Sequence, residues 1–192
     1  MKKMKLIAAL CCALVCACTM MVGCQPKNDP QTPTTPTDPT TPTNPKPAAA
    51  VLNYTFEVTD EMREVADFNI SYYDNEGKLQ TEKLASNKWN KIMQTALPGK
   101  LGVQIYTALK ADFDSTKYDV LTILDRYNYN AYCVDAEGKK IEKGKDGYKN
   151  STLPVVSGKI EGYINKYSQK PFHQTLFSVD ADGNFTYLSE WE

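Results

Sequence analysis

Three short segments of this chain share one pattern: Asp74-Asn75-Glu76-Gly77-Lys78, Asp135-Ala136-Glu137-Gly138-Lys139 and Asp180-Ala181-Asp182-Gly183-Asn184. Each joins two runs of β character, and an acidic residue opening the turn with a Gly supplying positive φ is what a hairpin with a type I turn and a bulge requires. The flanking runs alternate with period two. Ala66, Phe68, Ile70 and Tyr72 oppose Asp67, Asn69 and Ser71; Leu101, Val103, Ile105, Thr107 and Leu109 repeat the pattern after Pro98-Gly99; Tyr127, Tyr129, Ala131 and Cys133 oppose Asn128, Asn130 and Tyr132. Half-buried strands need a second sheet over their apolar faces, so the expected fold is mainly β, an antiparallel sandwich.

One element departs from this pattern. Val156, Ile160, Tyr163, Ile164 and Tyr167 fall at helical spacing, with Ser157 as expected N-cap, Lys166 and Lys170 toward the C-terminal side and Pro171 as a stop. The spacing predicts a short amphipathic helix over Gly158 to Ser168, which leads into a last hairpin of Phe172 to Val179 and Phe185 to Trp191. Gly158 and Gly162 weaken the helix, so packing of its Ile/Tyr stripe must hold it.

Upstream, Lys2, Lys3 and Lys5 precede an uncharged apolar stretch from Leu6 to Val22. That is the layout of an export signal, and it is shorter than the roughly 20 residues a membrane-spanning helix needs. Met21-Val22-Gly23-Cys24 resembles the lipobox of bacterial lipoproteins. The resemblance implies cleavage after Gly23, diacylglycerol on the Cys24 sulfur and an N-terminal membrane anchor made of acyl chains. Pro then recurs at 30, 33, 36, 39, 42 and 45. A proline every third residue matches the polyproline II turn, so residues 24–47 read as the lipidated Cys and a semi-rigid Thr/Pro stalk about 70 Å long. Residues 48–192 are left as one domain of about 145 residues.

That cut decides the cysteine chemistry. Cys11, Cys12, Cys16 and Cys18 leave with the leader and Cys24 carries lipid, so Cys133 is the one free thiol and no disulfide framework forms within the mature chain. Loss of three lysines moves the net charge from −1 to about −4, which argues against nucleic-acid partners and offers no basic patch to anionic lipids.

At Tyr127-Asn128-Tyr129-Asn130-Ala131-Tyr132-Cys133-Val134-Asp135 the chain resembles the penultimate strand of immunoglobulin-like and fibronectin type III-like modules, over the stretch from Asn53 to Glu142. The resemblance implies an immunoglobulin-like sandwich in which Tyr127 bonds back to an upstream turn. The chain departs from true immunoglobulin domains in having no cysteine to pair with Cys133 and no clear core-strand place for Trp89. Leader, lipobox, Thr/Pro stalk and one Tyr-rich sandwich together look like the small cell-envelope lipoproteins of Bacteroidetes. This implies a cell-envelope location, lipid-anchored at the outer membrane, with the leaflet undecided. It also implies Ser115, within Asp114-Ser115-Thr116, as an O-glycosylation site. Acidic residues after the lipidated Cys mark surface export there, and Lys27-Asn28-Asp29 is a dilute version.

Catalytic signals are sparse. The only histidine, His173, lies at an expected strand start and reads as a solvated rim residue, while Cys133 reads as core filler. No nucleophile elbow, two-histidine metal motif or phosphate loop is present in the sequence. Asp180, Asp182 and Asn184 alternate like the start of a calcium loop, but the twelfth position, where a bidentate Glu belongs, is Trp191. No cofactor is expected. The twelve tyrosines all lie in the domain, and alternation sends Tyr73 and Tyr132 to the face opposite their neighbours, where rings can stack on sugars or anchor a protein. The expected function is a non-catalytic envelope module that binds a protein or glycan. Two other classes fit the same residues: a small hydrolase with a carboxylate site, and a structural or assembly component of the envelope.

Overall fold

The alternating segments fold as predicted. In the computed structural model, which describes residues 45–191, nine strands form two antiparallel sheets. One contains β1 (Ala49–Glu57), β4 (Lys88–Ala96), β6 (Val120–Val134) and β7 (Lys140–Val156) in the order β4-β1-β6-β7. The other contains β2 (Ala66–Tyr73), β3 (Leu79–Lys83), β5 (Gly99–Leu109), β8 (His173–Val179) and β9 (Phe185–Tyr187) in the order β3-β2-β5-β8-β9. The expected leader 1–23, Cys24 and the Pro/Thr run through residue 44 lie outside the described residues. Among the described residues no helix is long and apolar enough to cross a membrane.

The sandwich closes over one core. Leu52, Tyr54 and Phe56 of β1 and Leu121, Ile123 and Ala131 of β6 face Phe68, Ile70, Val103, Ile105 and Phe177 from the other sheet, all of them buried. The likeness to immunoglobulin domains is one of architecture. There the first two strands share a sheet, whereas here β1 and β2 lie in opposite sheets. They are joined by a short helix, α1 (Asp60–Val65), capped by the Thr59 side chain, which accepts from the Met62 amide at 3.1 Å.

All three Asp-x-x-Gly turns take the same form. Oδ1 of Asp74, Asp135 and Asp180 each accepts the amides two and four residues on, at 2.7 to 3.1 Å. Gly77, Gly138 and Gly183 supply φ of 73°, 80° and 79°. Register puts all three turns, and the β4–β5 connection, at the end of the sandwich where the chain enters through Pro47. The helices occupy the opposite end.

The predicted helix is present as α2 (Ser157–Gln169), one residue longer at each end than expected. Its N-cap is Val156 and not Ser157, because the Ser157 hydroxyl donates to the Ser115 carbonyl at 2.7 Å. Ile160 and Ile164 are buried, Tyr163 and Tyr167 half-buried, and Val156 is exposed. Thr107, on the inner face of β5, donates from Oγ1 to the Ile164 carbonyl at 2.8 Å. The helix thus fills the space between the sheets at their helical end. Ile164→Ala is expected to lower unfolding free energy by about 2–4 kcal/mol in denaturant titrations, because the Thr107 anchor keeps the helix from collapsing into the gap.

Candidate binding face

The aromatic side chains divide between the core and the outside. Tyr54, Tyr127 and Tyr129 form a near-parallel group on the inner face of the β4-β1-β6-β7 sheet, with centroids 6.1 to 6.3 Å apart. Burial pushes the Tyr54 and Tyr129 hydroxyls well above the ordinary tyrosine value. Tyr127 is no strand-start tyrosine. It sits in mid-β6, stacked on its neighbours and edge-on to His173 at 4.6 Å, and its hydroxyl makes no hydrogen bond to an upstream turn among the described residues. Trp89, left without a core role by the sequence, packs on the inner face of β4 against Tyr54 and Tyr72, and its indole N–H donates to Glu82.

His173 is likewise no rim residue. It is 8% exposed, at the inner start of β8, ringed by Phe56, Tyr127 and Phe172. Its Nε2 lies 2.6 Å from Oδ1 of Asp125, across the gap between the sheets, and neither atom has another hydrogen-bond partner among the described residues. The other oxygen of Asp125 meets Lys149 of β7. Burial opposes ionisation of Asp125, but the contacts with His173 and Lys149 outweigh it and hold the carboxyl below the usual aspartate value. This cluster clamps the two sheets together. The free thiol of Cys133 lies apart from it, buried at the turn end of the sandwich, where burial raises its pKa.

The candidate binding face is the outer face of the β4-β1-β6-β7 sheet. Register fixes its side chains as four rows across the strands. The first is Lys88–Glu57–Arg126–Asn150, the second Asn90–Thr55–Asn128–Tyr148, the third Ile92–Asn53–Asn130–Asp146 and the fourth Gln94–Val51–Tyr132–Gly144. Strands about 4.8 Å apart and same-face residues about 6.8 Å apart along each strand make this a flat lattice of amides and hydroxyls. Asn53, Asn90, Asn128, Asn130 and Asn150 are exposed, as are Tyr148 at 68% and Ile92 at 65%. The charged row is internally neutralised: Glu57 accepts from Lys88 at 3.0 Å and Arg126 at 2.9 Å, and these bonds hold its carboxyl below the usual value. A depression of about 220 Å³ lies between Thr55, Asn128, Arg126 and Tyr148. A second, of about 310 Å³, lies between Asn130, Tyr132 and Asp146, beside the bulge in the β6–β7 ladder.

The residues singled out by sequence are dispersed. Tyr132 belongs to this face, with Lys140 Nζ 4.5 Å above its ring. Tyr73 lies on the outer face of the other sheet, edge-on to Trp191 at 4.6 Å, so the two tyrosines form no common surface. Asp180, Asp182 and Asn184 form the β8–β9 turn, where Asp180 is occupied by backbone amides and the Asn184 side chain. Among the described residues no three His, Cys, Asp or Glu side chains come together as a metal site. Ser115 opens a 3-10 turn (Ser115–Lys117) at the helical end. Tyr148 stands alone in a charged run and carries no sequence signal, whereas Asn128 and Asn130 alternate visibly against Tyr127 and Tyr129.

A larger depression, about 790 Å³, lies elsewhere, among Pro45, Pro47, Ile141, Glu142 and Asp182. It is lined by the segment through which the chain enters and by Lys143, whose Nζ is tied to the Asp182 carbonyl at 2.7 Å, and it has neither the rings nor the amide rows of the sheet face. Comparison of the chain with family models, with curated proteins and with solved structures returns no match, so the chemistry of this face must speak for itself.

Proposed function

We propose that the chain is a lipid-anchored lipoprotein of the cell envelope, held at the outer membrane through Cys24, whose sandwich is a non-catalytic module that binds a neutral glycan on the outer face of the β4-β1-β6-β7 sheet. The observation that carries this reading is the lattice of Asn53, Asn90, Asn128, Asn130 and Thr55 flanked by Tyr132 and Tyr148. Carboxamides donate and accept at once, as sugar hydroxyls do, and tyrosine rings offer the flat apolar surface that the C–H face of a pyranose covers. Two cations of the face, Lys88 and Arg126, are already paired with Glu57. A carboxylate-dependent hydrolase is the weaker reading, because Asp125 and His173 are engaged with each other between the sheets.

The test is retention of the purified chain on an array of neutral oligosaccharides. Tyr148→Ala, and separately the pair Asn128→Ala and Asn130→Ala, are expected to weaken binding about tenfold or more, equivalent to about 1.4 kcal/mol. Tyr73→Ala, on the opposite sheet, is expected to leave it unchanged. Absence of binding to every neutral glycan, or equal losses from Tyr73→Ala, would overturn the assignment.

A further inference from the structure

The edges of the two sheets are unequal. β3 has five residues and β9 three. The free edge of β4 is partly covered, since the Gln94 amide donates to Asn75 Oδ1 at 2.9 Å. β7, by contrast, runs for 17 residues and pairs only with β6.

Backbone direction along that edge follows from the ladder. The Ser157 amide donates to the Asp119 carbonyl at 3.0 Å, continuing the register in which Val155 faces Leu121 and Ser151 faces Asp125. Odd-numbered residues from 145 to 155 therefore bond to β6, and Gly144, Asp146, Tyr148, Asn150 and Thr152 direct their amides and carbonyls away from the sheet. Among the described residues no strand pairs with these groups. An unpaired edge of this length is a template for another strand.

We propose that β7 pairs antiparallel with β7 of a second copy of this chain, about a twofold axis through Tyr148. That residue lies within residues 144–156, the regular run of β7 beyond the bulge in the β6–β7 ladder. The charges select it. Over the regular run Lys145 falls opposite Ser151 and Lys149 opposite Gly147, so no lysine meets a lysine. Moving the axis to Gly147 sets Lys145 against Lys149, and moving it to Lys149 sets that lysine against its own copy. Like charges directly opposite are destabilising. The lysines of this edge therefore reject the adjacent register on either side while tolerating this one. Regular pairing over residues 144–152 of both copies supplies roughly ten backbone hydrogen bonds. It places the two exposed Tyr148 rings side by side on the outer face, an aromatic cross-strand pair. The outer faces of the two copies become one continuous eight-stranded surface. This pairing does not depend on the glycan reading.

The test uses the full-length chain in mild detergent. Tyr148→Cys is expected to form a disulfide-linked dimer under mild oxidation, because directly opposed residues of a hydrogen-bonded pair have Cα atoms about 5.5 Å apart. Asn90→Cys, on the same face but at the other edge, is expected not to cross-link. Ser151→Lys, which sets lysine against Lys145 of the second copy, is expected to abolish dimers in light scattering, and adding Lys145→Glu to restore them. A chain that stays monomeric at all concentrations, dimers indifferent to Ser151→Lys, or equal cross-linking through Asn90→Cys would overturn the proposal. Binding of oligosaccharide is read separately, so either proposal can fail without the other.

Discussion

Replacing Asp125 by Leu is expected to lower the unfolding free energy by about 3 kcal/mol at neutral pH, because removing one partner of a largely buried charged cluster leaves the others without compensation. His173 Nε2 has no other hydrogen-bond partner among the described residues, and the other Asp125 oxygen is met by Lys149. The pH dependence separates this electrostatic role from simple packing. The Asp125 carboxyl titrates below its ordinary value in the folded chain, so its contribution is complete above the unfolded aspartate pKa and disappears as pH falls through the lower folded value. The native chain should therefore lose stability on acidification from about pH 5 downward, and Asp125→Leu should flatten that limb. The double variant Asp125→Leu, His173→Phe replaces the inter-sheet contact by apolar groups and should recover at least half of the loss. Urea melts of the three proteins between pH 3 and 7 decide this. If the single variant keeps the native acid limb, or the double variant is no more stable than the single, the cluster is not the clamp described above.

The parts of this fold that the sequence announces are those where one face is buried and the other wet. β2 and β6 alternate because their inner faces meet the opposite sheet, and α2 shows its Ile160/Ile164 spacing because one stripe fills the end of the sandwich. β7 is nearly silent because, as an edge strand reaching past the other sheet, it is exposed on both faces and nothing selects for alternating apolar residues. β4 is blurred for a related reason. Between the buried Trp89 and Met93 its inner face carries Lys91, whose Nζ reaches the Tyr72 hydroxyl at 2.6 Å, so a polar residue stands where the pattern calls for an apolar one. Of the candidate face, the β6 contribution of Asn128, Asn130 and Tyr132 was legible, whereas Tyr148, Asn53 and Asn90 acquire meaning only through strand register. His173 was misread because its partner Asp125 is distant in sequence, and only the pairing of two separate sheets makes the contact. Ser157 has the chemistry of a cap, but a nearby carbonyl at Ser115 takes its hydroxyl first.

Phe177→Ala is expected to cost about 3–5 kcal/mol. Phe177 is fully buried at the centre of β8 and meets Tyr129 at 5.8 Å, Phe185 at 5.5 Å and Tyr187 at 4.8 Å between ring centroids. Strand β9 has only three residues, too few ladder bonds to hold an edge by themselves, so its order depends on the rings it lays on Phe177. The Tyr187 hydroxyl also meets that of Tyr129 at 2.7 Å, which ties the short edge strand to the other sheet. Truncation should therefore act locally before it acts globally. Amides of β9 are expected to lose their exchange protection in Phe177→Ala under conditions where β1 and β6 remain protected, while the denaturation midpoint falls with the whole domain. With total stabilities of domains this size near 5–15 kcal/mol, such a loss removes a large fraction of the margin. A variant that unfolds with native stability, or one in which β9 keeps its protection, would mean that the last hairpin is held by its Asp180 turn rather than by the aromatic contacts between the sheets.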